Sequence, residues 1–114
     1  MAFKGEFKME DIALRHDATT LVNVLTCEPA DQDVLLTLLR ENTDRVISGL
    51  DGWISTSLVA AADGSRIVIV SQWRDADAVK GMQTDERMLA YFPKIAALAR
   101  FDSIAGAIVH ARAA

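Results

Sequence analysis

The run RIVIVSQW, residues 66–73, constrains the fold of this chain more than any other feature, because neither face of the strand it predicts is polar. Successive side chains of a strand point to opposite faces of the sheet. The run therefore divides into Ile67, Ile69, Ser71 and Trp73 on one face and Val68, Val70 and Gln72 on the other. Helices on one side of an antiparallel sheet leave the other side wet and polar. This sheet is therefore expected to be covered on both faces.

The predicted last strand, SIAGAIVHA over 103–111, also lacks a polar face. Its alternating sets are Ile104, Gly106 and Ile108 on one side and Ala105, Ala107 and Val109 on the other. The helices of one 114-residue chain cannot cover both faces of the sheet. We therefore predict a homodimer in which two sheets pack face to face around a shared β-barrel-like core.

The remaining segments supply a complete α+β domain. Periodicity and turn residues predict strands over 19–27, 53–61, 66–73 and 103–111. Apolar residues at helical spacing, with Asp75 and Thr84 as N-caps, predict helices over 34–49, 75–82 and 84–99. With the last two helices counted as one helical segment, the order is β-α-β-β-α-β, that of a ferredoxin-like fold with an antiparallel sheet. Residues 1–18 are predicted to be an N-terminal extension, with a short helix over 9–16, and residues 19–112 to form the single domain.

Composition and charge exclude several classes of function. The net charge is −4, and no basic stripe is present, so no nucleic-acid partner is expected. No apolar run approaches the ~20 residues of a membrane span, and the first residues lack the hydrophobic region of a signal peptide. The one cysteine, Cys27, cannot form an intramolecular disulfide. The expected location is the cytoplasm, without membrane contact.

Two residues of the predicted sheet are candidates for chemistry. Asn23 interrupts the apolar strand TLVNVLT, where an unpaired buried amide costs about 1–3 kcal/mol. Its amide would either tie down a neighbouring backbone group or contact a ligand. Trp73 ends its strand on the face of Ile69 and Ser71, and it would either pack in the core or form the wall of a pocket, with its N–H as a donor.

The predicted helices add two weaker candidates for substrate binding, and the histidines and the cysteine are considered as metal ligands. Asn42 interrupts the apolar stripe of the first helix, so it faces either the space between helix and sheet or solvent. Tyr91 lies either over the same cleft or in the core. His16, His110 and Cys27 have no metal-ligand spacing, so no metal site is predicted.

Taken together, these segments resemble the antibiotic biosynthesis monooxygenase family over about residues 19–111. The residues that carry the resemblance are TLVNVLTCEPADQDVLLTLL, LDGWISTSLVAAADGSRIVIVSQWRD and ALARFDSIAGAIVHA, in family order. The resemblance implies a dimeric α/β barrel with a pocket between sheet and helices. It also implies a cofactor-independent oxidation, with O₂, of a polyketide-like phenol or anthrone to a quinone.

Residue by residue, the resemblance makes Asn23 and Trp73 the catalytic pair. Together with the positions predicted above, it makes Asn42, Ile69, Ser71 and Tyr91 the candidates for binding the substrate. Ile69 is a departure, because quinone-forming members commonly have a second Asn there. The haem-degrading relatives need a His in the last helix, which this chain lacks. The loss of an amide at position 69 leaves two alternatives open: a related barrel that catalyses a non-oxidative cyclisation or isomerisation, and a dimer that binds a small molecule without catalysis.

Overall fold

The computed structural model describes residues 9–114, which form one antiparallel sheet with helices on one side. Its strands are β1 (Thr19–Cys27), β2 (Trp53–Ala60), β3 (Arg66–Trp73) and β4 (Ala99–Gly106). Its α-helices are α1 (Gln32–Arg45), α2 (Ala76–Thr84) and α3 (Glu86–Ala96), with 3₁₀ turns at Pro29–Asp31 and Ile47–Gly49. The strand order β2-β3-β1-β4 is that of the predicted ferredoxin-like α+β fold. No helix of the described residues is long and apolar enough to cross a membrane.

Local capping explains where α2 and α3 begin. The Asp75 carboxylate accepts the Ala78 N–H at 2.9 Å, as predicted for an N-cap. The second cap is Asp85, which accepts the Arg87 N–H at 2.9 Å. The prediction of Thr84 as this cap is wrong by one residue, because Thr84 is the last residue of α2 and its hydroxyl donates to the Lys80 carbonyl.

The predicted bounds of β1 and β3 are confirmed, but the prediction for β4 is wrong. β4 begins at Ala99, separated from the end of α3 by two residues, and ends at Gly106 rather than running over 103–111. Its pairing with β1 explains the shift, since Ala99 pairs with Cys27 and Gly106 pairs with Thr20. Beyond Gly106 the chain has almost no β1 left to pair with, and residues 107–114 have no regular structure.

The core lies entirely between the sheet and the helices. Leu25, Leu35 and Ile67 are fully buried there, and Trp73 is 1% exposed. The opposite face of the sheet carries Val22, Val24, Val68 and Val70, all half-buried, with Val59 and Ile104 exposed. Within the described residues no helix covers this second face.

One end of the second face is covered by the chain that precedes β1. The buried Gln72 side chain accepts the Arg15 N–H at 2.8 Å and donates to the Arg15 carbonyl at 2.7 Å. It also donates to the Thr20 hydroxyl at 3.0 Å. The prediction of a helix over 9–16 is wrong, because the Arg15 backbone bonds to this side chain and residues 9–15 have no regular structure. The predicted extension over residues 1–8 lies outside the described residues.

Candidate active site

The register of the central strands places four predicted site residues on the helix-facing side. Asn23 of β1 lies opposite Ile69 of β3, and Leu21 lies opposite Ser71. Because side chains alternate along a strand, Trp73 shares the face of Ile69 and Ser71. The prediction that residue 69 lies on the same face as Trp73 is confirmed by this register.

These side chains line one cavity between the sheet and the helices. Its polar lining includes Asn23, Asn42, Ser71 and Trp73, and Ile69 lies among them. The rest of the wall is largely apolar and comes from Leu21, Leu39, Ile47, Met82, Met88, Phe92, Ile95 and Phe101, with Thr43 and Thr56. The cavity has a volume of about 60 Å³. Pockets for drug-sized ligands measure about 300–1,000 Å³, so a cavity of this size holds only very small molecules.

Trp73 and Ser71 form a buried hydrogen-bonded pair in the wall of this cavity. The indole N–H of Trp73 donates to the Ser71 hydroxyl oxygen at 3.0 Å. The expectation that this N–H points to a ligand is therefore not met. A hydroxyl that accepts one hydrogen bond can still donate its own proton, so Ser71 is the group of the pair that can donate further.

Asn23 is bonded through its oxygen to a side chain of β4. Its Oδ1 accepts a short hydrogen bond from the Ser103 hydroxyl, which lies directly opposite on the neighbouring strand. The partner is therefore a side chain, not the backbone group that we considered from sequence. With its oxygen occupied, the amide retains two N–H donors.

Asn42 is buried against the cavity, which decides between the two positions considered from sequence. Its side chain is 2% exposed. Its carbonyl oxygen Oδ1 has no hydrogen-bond partner among the described residues. The environment of this oxygen is unusual, since the great majority of buried side-chain polar atoms are hydrogen-bonded.

Tyr91 does not line the cavity, in contrast to the expectation from sequence. It is half-buried and packs between the two halves of the core, with the Lys94 ammonium 5.4 Å from its ring centroid. Successive residues of a helix point about 100° apart, so the neighbouring Phe92 faces the cavity when Tyr91 does not. Phe92 is therefore the aromatic residue of α3 at this site.

Sequence reasoning did not identify Thr56, Met82 and Phe101 as lining residues. Thr56 accepts the indole N–H of Trp53 at 2.8 Å, a contact across a β-bulge that no sequence pattern shows. Met82 was the last residue of the predicted second helix, and Phe101 lay between the predicted last helix and the predicted last strand. Nothing in the sequence separates an apolar residue that lines a cavity from one that fills the core.

The charged side chains, the histidines and the cysteine of the described residues lie away from this cavity. Arg74 bonds the carboxylates of Asp51 at 2.8 Å and Asp75 at 3.2 Å and lowers the pKa of Asp51. Burial raises the pKa of the Cys27 thiol, which contacts the Gly64 carbonyl. Over residues 9–114 no group of three or more His, Cys, Asp or Glu side chains could hold a metal ion.

Known proteins share both sequence and fold with this chain. Tetracenomycin-F1 monooxygenase of Streptomyces glaucescens is 28% identical over 102 residues, which cover 90% of this chain and 91% of that protein. ActVA-Orf6 of Streptomyces coelicolor, a monooxygenase solved with nanaomycin D, superposes with a TM-score of 0.78 at 19% identity, covering 87% of this chain and 94% of that one. SnoaB of Streptomyces nogalater, a cofactor-independent oxygenase, superposes with a TM-score of 0.71 at 19% identity, covering 83% and 96%.

The family comparison agrees with the fold and with the resemblance seen in the sequence. The sequence pattern of the antibiotic biosynthesis monooxygenase family matches residues 19–94, well over half of the chain. The matched region runs from the start of β1 into α3 and contains the cavity residues of both central strands. The chain therefore belongs to the antibiotic biosynthesis monooxygenase family.

Proposed function

We propose that this protein is a cofactor-independent monooxygenase that oxidises an aromatic, polyketide-like phenol or anthrone with O₂ to a quinone. The observation that carries the proposal is the convergence of Asn23, Asn42, Ser71 and Trp73 on one otherwise apolar cavity. Apolar walls with a few placed polar groups are the usual composition of sites for ring systems. The relative from Streptomyces glaucescens, tetracenomycin-F1 monooxygenase, supports the same reaction class.

The reaction needs no external reductant. An anthrone anion gives one electron to O₂, and the resulting radical pair combines to form a carbon–oxygen bond. The peroxide O–O bond then breaks, one oxygen stays on carbon as the new carbonyl, and the other leaves as water. The methylene carbon is oxidised and O₂ is reduced, and the two methylene hydrogens end in the water.

The protein's part in this reaction is to bind the ring and to stabilise the anion. None of the side chains that line the cavity of the described chain is an acid or a base that titrates near neutral pH. The substrate therefore enters as its anion or loses its proton to water. The Ser71 hydroxyl and the free N–H groups of Asn23 are donors that can stabilise the developing oxyanion.

The cavity opens to admit such a substrate. A polycyclic ring does not fit the present volume of about 60 Å³. Met82, Met88 and Phe92 form the helical side of the wall, and unbranched methionine side chains repack easily. We place the entrance at β4, because Phe101 lines the cavity and is 45% exposed.

A second copy of the chain is proposed to cover the apolar second face of the sheet. Val22, Val24, Val68 and Val70 form its centre, while Val59 and Ile104 are 55% and 63% exposed. Burying these side chains between two copies would stabilise a homodimer. Light scattering at micromolar concentration should give the dimer mass, and Val70→Lys should give the monomer.

We further propose that residues 19–112 form the catalytic domain, with 1–18 as an extension, and that the protein is cytoplasmic.

Oxygen uptake by purified, metal-free protein tests the catalytic proposal. A panel of anthrones and naphthols should produce substrate-dependent O₂ consumption with quinone formation. Asn23→Ala should lower the rate about 10²-fold, the lower end of the effect of removing one oxyanion donor. Thr26→Ala is the matched control, because Thr26 lies near the end of β1, is exposed and does not line the cavity. An unchanged rate in Asn23→Ala would refute the assignment.

The apolar residue Ile69 at this position favours a different reaction on the same scaffold. It places an apolar side chain directly opposite Asn23, so the strands present fewer donors to an oxyanion. A cyclisation or isomerisation would convert the substrate at the same rate with and without O₂. A dimer that only binds small molecules would return the ligand unchanged.

A further inference from the structure

The carbonyl oxygen of Asn42 is a buried acceptor that the fold itself leaves unused. Asn42 lies near the end of α1 and is 2% exposed. Its Oδ1 is the one buried side-chain polar atom of residues 9–114 that has no hydrogen-bond partner among them. An uncompensated buried acceptor destabilises a protein, so such an atom calls for an explanation.

The other polar side chains that the strands place around the cavity and that can accept a hydrogen bond each already have a donor. Ser71 accepts from Trp73 at 3.0 Å, and Thr56 accepts from Trp53 at 2.8 Å. The Asn23 oxygen accepts from Ser103.

The neighbour of Asn42 in the wall is also occupied. The Thr43 hydroxyl donates to the Leu39 carbonyl of its own helix at 2.8 Å. Asn42 Oδ1 is therefore the unpaired acceptor at the cavity, and an acceptor is satisfied only by a donor.

We propose that Asn42 Oδ1 determines substrate specificity by accepting a hydrogen bond from a free hydroxyl group on the aromatic substrate. The proposal rests on the function proposed above and names a feature of its substrate class. Asn23 faces the same cavity with N–H donors only, so the two amides together suit a ring system that carries a hydroxyl group and an oxyanion or carbonyl oxygen. An analogue without the hydroxyl would leave Oδ1 buried and unpaired, and the site would reject it.

Anaerobic binding measurements with two ligands of similar size test this proposal without turnover. The probes are 2-naphthol, which has a hydroxyl donor, and 2-fluoronaphthalene, which has none. Their dissociation constants are measured by calorimetry for wild type and for Asn42→Leu, which keeps the branched shape of the side chain but has no acceptor. The preference for 2-naphthol, expressed as a ratio of dissociation constants, should fall about tenfold in Asn42→Leu. Comparing ratios cancels the different hydration of the two probes.

Two controls separate specificity from folding. Thr37 lies on the exposed side of α1, so Thr37→Ala should keep the wild-type ratio of dissociation constants. Unliganded Asn42→Leu should unfold at or above the wild-type temperature, because it replaces an unpaired polar group with an apolar one. Asn42→Ala should show the same fall in the ratio if the leucine variant folds poorly.

The outcomes distinguish this proposal from the oxygenase proposal. An unchanged ratio in both Asn42 variants would overturn the specificity role, whatever the oxygen-uptake result. A clear fall in unfolding temperature for Asn42→Leu would also overturn it, since the amide would then serve the fold. A tenfold fall in the ratio without any O₂ uptake would support the Asn42 role and reject the oxygenase reaction. Failure of both probes to bind wild type would overturn both.

Discussion

The buried pair of Trp73 and Ser71 gives the sharpest prediction about how this site is built. Trp73 is 1% exposed, Ser71 is 5% exposed, and the indole N–H donates to the hydroxyl oxygen at 3.0 Å. Trp73→Phe removes the donor and part of the ring. We expect a loss of about 1 kcal/mol for the hydrogen bond and a further 1–2 kcal/mol for the space left in the core. The sum, about 2–3 kcal/mol, lowers the unfolding temperature by roughly 8–12 °C for a domain of this size.

A double-mutant cycle separates the hydrogen bond from the packing. Ser71→Ala and the double variant are unfolded beside Trp73→Phe and wild type, followed by far-UV circular dichroism at one protein concentration. The coupling between the two positions should be about 1 kcal/mol. A coupling near zero would refute the pairing, and a Trp73→Phe variant as stable as wild type would refute its role in the core.

The same cycle, applied to catalysis, separates the two roles of the pair. If Ser71 donates to the substrate while Trp73 orients it, Ser71→Ala should lower turnover at least as much as Trp73→Phe does. A normal rate in Ser71→Ala with a slow Trp73→Phe would instead indicate that the indole contacts the substrate directly.

Three further predictions concern the scaffold. Asp75 accepts the Ala78 N–H, which holds the pKa of this carboxyl below its usual range. Asp75→Ala should therefore lower the unfolding temperature at pH 7. The difference from wild type should begin to shrink below the usual pKa of about 4 and vanish only once the pH is below the lowered pKa of the folded state, where the carboxyl is protonated in both states. Gln72→Ala breaks both hydrogen bonds to the Arg15 backbone, so trypsin should cleave after Arg15 faster than in wild type, and equal rates would contradict the structure. Gly52 has φ +79° and an added Cβ would lie 2.5 Å from the Ala78 Cβ, so Gly52→Ala should destabilise the protein by more than about 1 kcal/mol in urea unfolding.

The pH dependence of turnover follows from the lining of the cavity. Because no lining side chain of the described chain titrates near neutrality, the apparent pKa of the rate should follow the pKa of the substrate. Rate profiles for two phenols of different acidity should be displaced by the difference in their pKa values. A common apparent pKa for both would indicate a base on the protein.

The amino-acid sequence by itself determined the features that depend on local periodicity. The bounds of β1 and β3, the cap at Asp75 and the shared face of Ile69, Ser71 and Trp73 all follow from alternation and from residue type, and the structure agrees. The family could also be identified from short segments in order along the chain. These features need no knowledge of what each element packs against.

Only the tertiary structure decided which partner each side chain meets. β4 ends at Gly106 because β1 ends, although its own sequence continues the strand pattern. Asn42 and Tyr91 each had two positions compatible with their helices, and packing against the sheet buried the first at the cavity and moved the second away from it. The Trp73 N–H bonds Ser71, and Gln72 holds the chain before β1, through contacts between side chains and distant groups. Periodicity fixes the direction of a side chain relative to its own element, whereas its partner depends on the position of every neighbouring element.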